Sequence, residues 1–178
     1  MIYLMRHGAD PSDRYGGWST YGLTEKGKEQ VHAAKSNLRN KGITQIYSSD
    51  LARAKETAEI VANDLSLGIT YTPQFREANN GLLAGKLKTE AVKQYPGIYW
   101  NALDWEETWP EGESPKQFFQ RIQSAWYNFK NQIGDNTVLL VSHGGVINII
   151  LCLENGMRYT NKETHFHIKE AEIIQITI

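Results

Sequence analysis

A chain of 178 residues, 40% hydrophobic, 11% aromatic and 22% charged, is one domain's worth of sequence. It is too rich in core formers for a disordered tail, and a chain of this length buries roughly 70% of its unfolded surface without staples. With 19 Lys and Arg against 20 Asp and Glu, no basic block that tracks nucleic acid and no run of the roughly 18 to 20 apolar residues a membrane span needs, a cytoplasmic protein that binds neither nucleic acid nor membrane is expected.

Ile2 to Met5 is a short run of strand formers, ended by Arg6-His7-Gly8 too early for the apolar core of a secretory leader. Polar, glycine-rich sequence follows to Gly22. Thr24 then reads as an N-cap, Val31, Ala34 and Leu38 recur at helical spacing, and Gly42 stands just past the end. The pattern repeats with a strand over Thr44 to Ser48, Ser49-Asp50 as capping residues, and a helix burying Leu51, Ala54, Ala58, Val61 and Leu65. Residues 77 to 113, rich in glycine, tryptophan and acids, break the alternation and are expected to form a small helical or loop insertion or lid over one sheet edge. Ser114-Pro115 starts a helix whose inner face is Phe118, Ile122, Trp126, Phe129 and Ile133. Val138 to Val141 is apolar without interruption, as a strand buried on both faces must be, and Ser142-His143-Gly144-Gly145 leads into an apolar helix from Val146. Cys152 lies in that helix and reads as a small core residue. A weak strand is expected at 165–168 and a closing one at 172–178. The fold class is therefore α/β: a single domain, 1–178, a three-layer sandwich around a mostly parallel sheet.

In such a sheet ligands bind outside the carboxyl ends of the strands. Arg6-His7-Gly8, Ser48-Ser49-Asp50 with Arg53, and Ser142-His143-Gly144-Gly145 all fall there. Two arginine forks, two imidazoles and helix N-termini at one edge favour an anion, and phosphate fits the forks best. Each residue alone has an ordinary structural reading, and only their convergence at three strand ends is specific. Alternating His165 and His167 lack a third ligand, so no metal site is expected, and no cofactor.

The ordered motifs Arg6-His7-Gly8, Leu23-Thr24-Glu25-Lys26-Gly27, Tyr47-Ser48-Ser49-Asp50-Leu51-Ala52-Arg53-Ala54, Glu77 with Gly81 and Gly85, Gly112-Glu113-Ser114 and Val141-Ser142-His143-Gly144-Gly145 resemble the histidine phosphatase superfamily, which includes cofactor-dependent phosphoglycerate mutase. The resemblance implies a phosphoglycerate mutase-like fold with His7 as the residue transiently phosphorylated. Arg6, Arg53 and a protonated His143 would stabilise the phosphoryl charge, with Gly144 and Gly17 as further phosphate contacts and Glu77 as proton donor. Many members carry an asparagine where this chain has Asp13. An ionised acid there would repel phosphate, so Asp13 is expected to point away, with Ser12 or the backbone of Gly16 and Gly17 in its place.

Between Lys93 and Lys116 there is no Lys or Arg, while Asp104, Glu106, Glu107, Glu111 and Glu113 are acidic. This argues for a metal-independent phosphatase of small phosphate monoesters over a mutase, which must hold a second phosphate; a non-catalytic phospholigand-binding domain is the remaining alternative. Trp100, Trp105 and Trp109 in the same stretch are expected to line a pocket for an apolar leaving group.

Overall fold

The computed structural model describes residues 1–177. Five strands, β1 (Ile2–Arg6), β2 (Gln45–Ser48), β3 (Ile69–Tyr71), β4 (Val138–Ser142) and β5 (Ile173–Ile176), form one sheet in the order β3-β2-β4-β1-β5. All neighbours are parallel except β5, which runs antiparallel to β1. The helices are α1 (Glu25–Ala34), α2 (Ala52–Leu65), α3 (Lys88–Gln94), α4 (Pro115–Ile133) and α5 (Gly144–Glu154).

Strand pleating divides the core. Ile2 and Leu4 of β1 with Val138 and Leu140 of β4 pack against α4 and α5 through Phe118, Ile122, Trp126, Val146 and Ile150. Tyr3, Met5, Leu139 and Val141, one residue out of phase, pack against Val31 of α1 and Ala54, Ala58 and Val61 of α2. Three layers result, as expected from the alternating pattern. The predicted inner face of α4 is buried throughout, and Ser114 closes a capping box with Gln117. Thr24 caps α1 by accepting from Gly27 N–H. Cys152 is fully buried, which raises its thiol pKa.

Several boundaries differ from the sequence reading. No strand forms at 165–168, because its backbone groups are taken by side chains: Phe166 N–H donates to Asn148 Oδ1 and the Ile168 carbonyl accepts from Arg6. The closing strand is shorter than 172–178, and Ile178 lies outside the described residues. β3 is an addition, a three-residue edge strand too short to be read from its pattern. Ser49 and Asp50 do not cap α2, whose N-cap is Leu51 without a side-chain bond. Asp50 instead pairs with Arg76. Among the described residues no helix is long and apolar enough to cross a membrane. Residues 77–113 hold α3 and a small core of their own, Leu83, Ala91, Leu103 and Trp109.

Candidate active site

Register begins the assembly of the site. β4 lies between β1 and β2, with Arg6 opposite Ser142 and Ser48 opposite Val141, so the turns that follow all three strands open on one edge. A close approach fixes the first turn: a side chain at Gly8 would meet the Gly27 carbonyl, and one at Gly27 would meet the Ala9 backbone. The loop after β1 therefore lies directly on the start of α1. Gly8 N–H also donates to Thr57 Oγ1, tying the loop to α2.

His7, Arg53 and His143 are buried together at this edge, and the two imidazole rings stand 5.2 Å apart. His7 Nδ1 lies 2.6 Å from the Gly8 carbonyl oxygen. Only a protonated Nδ1 can make that bond, so Nε2 carries the lone pair, and Arg53 Nε donates to it at 3.2 Å. Burial, then the Arg53 and Arg6 charges, hold the His7 pKa well below its ordinary value despite the Gly8 bond. An imidazole with a free Nε2 lone pair has the form a nucleophile needs.

His143 Nε2 lies 2.8 Å from Ser49 Oγ, and that oxygen accepts Leu51 N–H at 3.4 Å. With the hydroxyl hydrogen given to Nε2, the ring hydrogen sits on Nδ1, the tautomer that presents a donor to the site. His143 was expected to be protonated. Burial first and then Arg53, His7, Arg6 and Arg121 hold its pKa well below the ordinary value. A phosphoryl dianion would reverse the sign of that field.

Arg53 projects from the first turn of α2. It is 2% exposed, donates to the Gly17 carbonyl at 2.8 Å and Ser19 Oγ at 3.4 Å, and lies 3.6 Å from Asp10 Oδ2. Burial lowers its pKa, with Asp10 and Glu77 opposing. Arg6 donates through one terminal nitrogen to the Ile168 carbonyl at 2.6 Å. Among the described residues just two buried side-chain nitrogens or oxygens lack a partner, Arg6 Nε and His143 Nδ1. Both are donors. Buried donors without acceptors are costly unless a ligand satisfies them, and a second buried guanidinium beside them selects an anion.

Glu77 stands at the N-terminus of α5, its carboxylate accepting from Gly145 N–H and Ala78 N–H, each at 3.1 Å. Arg121 of α4 clamps this loop. It pairs with both Glu113 oxygens and donates to the carbonyls of Gln74, Arg76 and Glu77. Gly144 packs against the Arg6 side chain, and Gly17 takes a left-handed φ of 52° so that its carbonyl can reach Arg53. Asp13 and Ser12 are both exposed. The Ser12 carbonyl is engaged by Lys88.

Beside Glu77 opens a cavity of about 280 Å³ walled by Tyr15, Tyr99, Trp100, Trp109 and Phe118 with Gly16, Gly17 and Asn80. Trp100 and Trp109 stack at 6.3 Å. The expectation for Trp105 is overturned: it lies in a separate groove against Phe119 and Tyr159, drawn there by the α4 aromatic on the far side. Trp109 serves both roles, cavity wall and core of the 77–113 segment. A more polar cleft of about 550 Å³, holding Asn148, Asn161, His167 and Lys169, opens on the Arg6 side. Among the described residues no group of His, Cys, Asp and Glu is arranged to hold a metal, His165 and His167 included.

The buried histidines give the unliganded protein an expected pH dependence. Above their ordinary value of 6.5, the rings are neutral folded and unfolded and contribute nothing. Below it the unfolded chain binds protons that the folded one refuses, so stability falls with pH, by up to roughly 1 kcal/mol per pH unit for each ring. Scanning calorimetry without phosphate should show the Tm dropping between about pH 6.5 and 5, above the range of the shifted carboxylates Asp50, Asp64 and Glu154. A His7→Gln variant should lose part of that slope, and an unchanged slope would refute the assignment.

Comparison with known proteins agrees with this geometry. The chain is 30% identical over 181 residues to the probable phosphoglycerate mutase GpmB of Erwinia tasmaniensis, covering 98% of this chain and 83% of that protein. It is 34% identical over 156 residues to the GpmB of Yersinia pestis, covering 84% and 72%. The α-ribazole phosphatase of Shigella flexneri has the same fold, with a TM-score of 0.85 at 24% identity over 97% of this chain and 87% of that one. So does Bacillus stearothermophilus YhfR, with a TM-score of 0.85 at 26% identity over 99% and 91%. The model of the histidine phosphatase superfamily (branch 1) matches residues 2–178, and the chain belongs to that superfamily.

Proposed function

We propose that the chain hydrolyses small phosphate monoesters through a phosphohistidine at His7. The observation that carries this reading is the pair of buried, unpartnered donors, Arg6 Nε and His143 Nδ1, beside the lone pair of His7 Nε2. In the first step Nε2 attacks phosphorus in line, the ester P–O bond breaks, and the leaving oxygen takes a proton from Glu77. The Gly8 carbonyl, accepting from Nδ1, supports the charge the ring acquires. In the second step Glu77 takes a proton from water, the water oxygen attacks phosphorus, the P–N bond breaks and inorganic phosphate leaves. Arg6, Arg53 and His143 hold the phosphoryl oxygens through both steps, so positioning and charge stabilisation come from the chain itself.

The leaving-group cavity favours hydrolysis over a mutase. Among the described residues Glu77 is the one charged side chain lining it, so an apolar or aromatic alcohol fits there and a second phosphate meets no cation among them. The acids counted against a mutase act less directly than their number implied. Glu113 is held by Arg121 and Glu106 by Lys116, and none of the five lines the cavity. Mutase-type transfer keeps one supporting observation besides the names of relatives: Lys169 and His167 in the polar cleft beside Arg6.

Rapid quench with phosphorus-labelled aryl phosphate should trap an acid-labile, base-stable phosphoenzyme in the wild type and none in His7→Ala, with turnover unaffected by EDTA. Activity lost to EDTA and restored by a divalent metal would overturn the mechanism. Efficient conversion of 3-phosphoglycerate in the presence of 2,3-bisphosphoglycerate would replace the phosphatase reading by the mutase one.

A further inference from the structure

Asn80 is a polar side chain buried to 4% exposure on the wall of the aromatic cavity, three residues beyond Glu77. Its orientation is fixed on two sides. The amide lies so close to Gly17 that any side chain there would overlap it, and its Oδ1 accepts Trp18 N–H at 3.2 Å. A backbone N–H can only donate, so the atom it meets is the oxygen and the other terminal atom is the NH2. That Nδ2 donates to no atom among the described residues; it is not one of the two wholly buried atoms without a partner, so what little of this side chain is open includes the amide nitrogen, whereas Asn161 Nδ2 is spent on two carbonyls. Asn80 lines the cavity together with Glu77, Trp100 and Trp109.

The geometry points to Asn80 as a specificity residue that donates a hydrogen bond to the leaving group. The inference rests on the proposed phosphatase reading and narrows it. The substrate would be a phosphate monoester whose alcohol is a flat aromatic system carrying a hydrogen-bond acceptor, such as a ring nitrogen or a carbonyl oxygen, on the edge facing Asn80. The stacked Trp100 and Trp109 offer a flat apolar wall, and about 280 Å³ is at the small end of ligand sites. Within that space Asn80 Nδ2 is a neutral donor from a side chain, whereas Glu77 is engaged with the ester oxygen. A site built to hydrogen-bond an acceptor discriminates against the isostere that lacks it, since the buried amide is then left unpaired.

The test compares 6- and 7-quinolinyl phosphate with 2-naphthyl phosphate, which has the same outline and no ring nitrogen. For the wild type, kcat/KM should favour at least one quinolinyl ester by about 5-fold, through KM. Asn80→Asp keeps an oxygen for Trp18 N–H and exchanges the donor for an acceptor, so the preference should vanish or invert; Asn80→Leu should abolish it. Vanadate inhibition of Asn80→Leu separates the leaving group from the phosphoryl group. A loss of vanadate affinity as large as the loss on the quinolinyl ester would place the amide on the phosphoryl oxygens and overturn the inference. So would a wild type with no quinolinyl preference, or a preference that survives Asn80→Leu. If the wild type turns over none of the three esters, the phosphatase reading itself fails. The cavity is then read by calorimetry with 6- and 7-hydroxyquinoline against 2-naphthol: tighter binding of a hydroxyquinoline, lost in Asn80→Leu, sustains the donor role, and equal binding ends it.

Discussion

Replacing Arg53 by alanine is expected to lower kcat/KM by roughly 100-fold or more. Three functions leave with this side chain. Its Nε–H holds the His7 lone pair at 3.2 Å and turns its hydrogen bond to a phosphoryl oxygen as that lone pair turns to phosphorus, keeping its proton throughout. Its charge offsets the dianion in a site almost closed to water, where a guanidinium acts at far lower dielectric than on the surface. Its terminal nitrogen fixes the Gly17 carbonyl, and so the loop that borders the cavity. The loss should appear mainly in kcat, because the charge on the oxygens spreads most in the transition state, and vanadate inhibition should weaken in parallel. Arg53→Lys, which keeps the charge and forfeits the fork, should fall between. Folding should survive, since Asp10 at 3.6 Å is the nearest carboxylate to this buried cation and a poorly paired buried charge contributes little stability. A variant with wild-type Tm and near wild-type efficiency would show that the three strand ends do not act on one phosphoryl group.

The residues that converge were legible because each sits where a continuous apolar run ends in a polar, glycine-containing turn. Parallel strands then have no freedom about which edge those turns share: register puts Arg6 beside Ser142 and Ser48 beside Val141. What sequence could not announce depends on partners distant in the chain. β3 has three residues, two of them exposed, and exists through pairing with β2. The run His165-Phe166-His167-Ile168 has the period of a strand, yet Asn148 and Arg6 occupy its backbone groups. Ser49 stood in a recognised turn, but its contact with His143 Nε2 follows from β2 lying against β4. The tryptophans show the same limit. Their spacing said nothing of which face of α4 each would meet, so Trp105 went to Phe119 while Trp100 met Phe118. Asn80 carried a weak signal, an amide three residues past a suspected acid, and its burial came from Gly17, sixty-odd residues away.

Glu77→Gln should separate substrates by their leaving groups. An alkoxide leaves poorly and needs a proton as its bond to phosphorus breaks, so kcat/KM for an alkyl phosphate should fall by about 100-fold to 10,000-fold. For p-nitrophenyl phosphate, whose phenolate departs largely unaided, kcat/KM should fall by about 10-fold at most, because that ratio is governed by steps up to and including the first irreversible one. Its kcat is a different matter. Dephosphorylation of His7 still needs a base for the incoming water, so turnover should become limited by that step, with a burst of about one p-nitrophenol per site and a phosphoenzyme that persists. The substitution is a clean probe because the loop is held from outside: Arg121 and Trp18 bind the Glu77 carbonyl rather than its side chain. Glutamine retains one carbonyl oxygen, enough for Gly145 N–H, and forfeits the bond from Ala78 N–H; that loss is common to every substrate, so a difference between alkyl and aryl esters reports proton transfer. Equal losses in kcat/KM on alkyl and aryl esters would remove Glu77 from the first step, and the absence of a burst would remove it from the second.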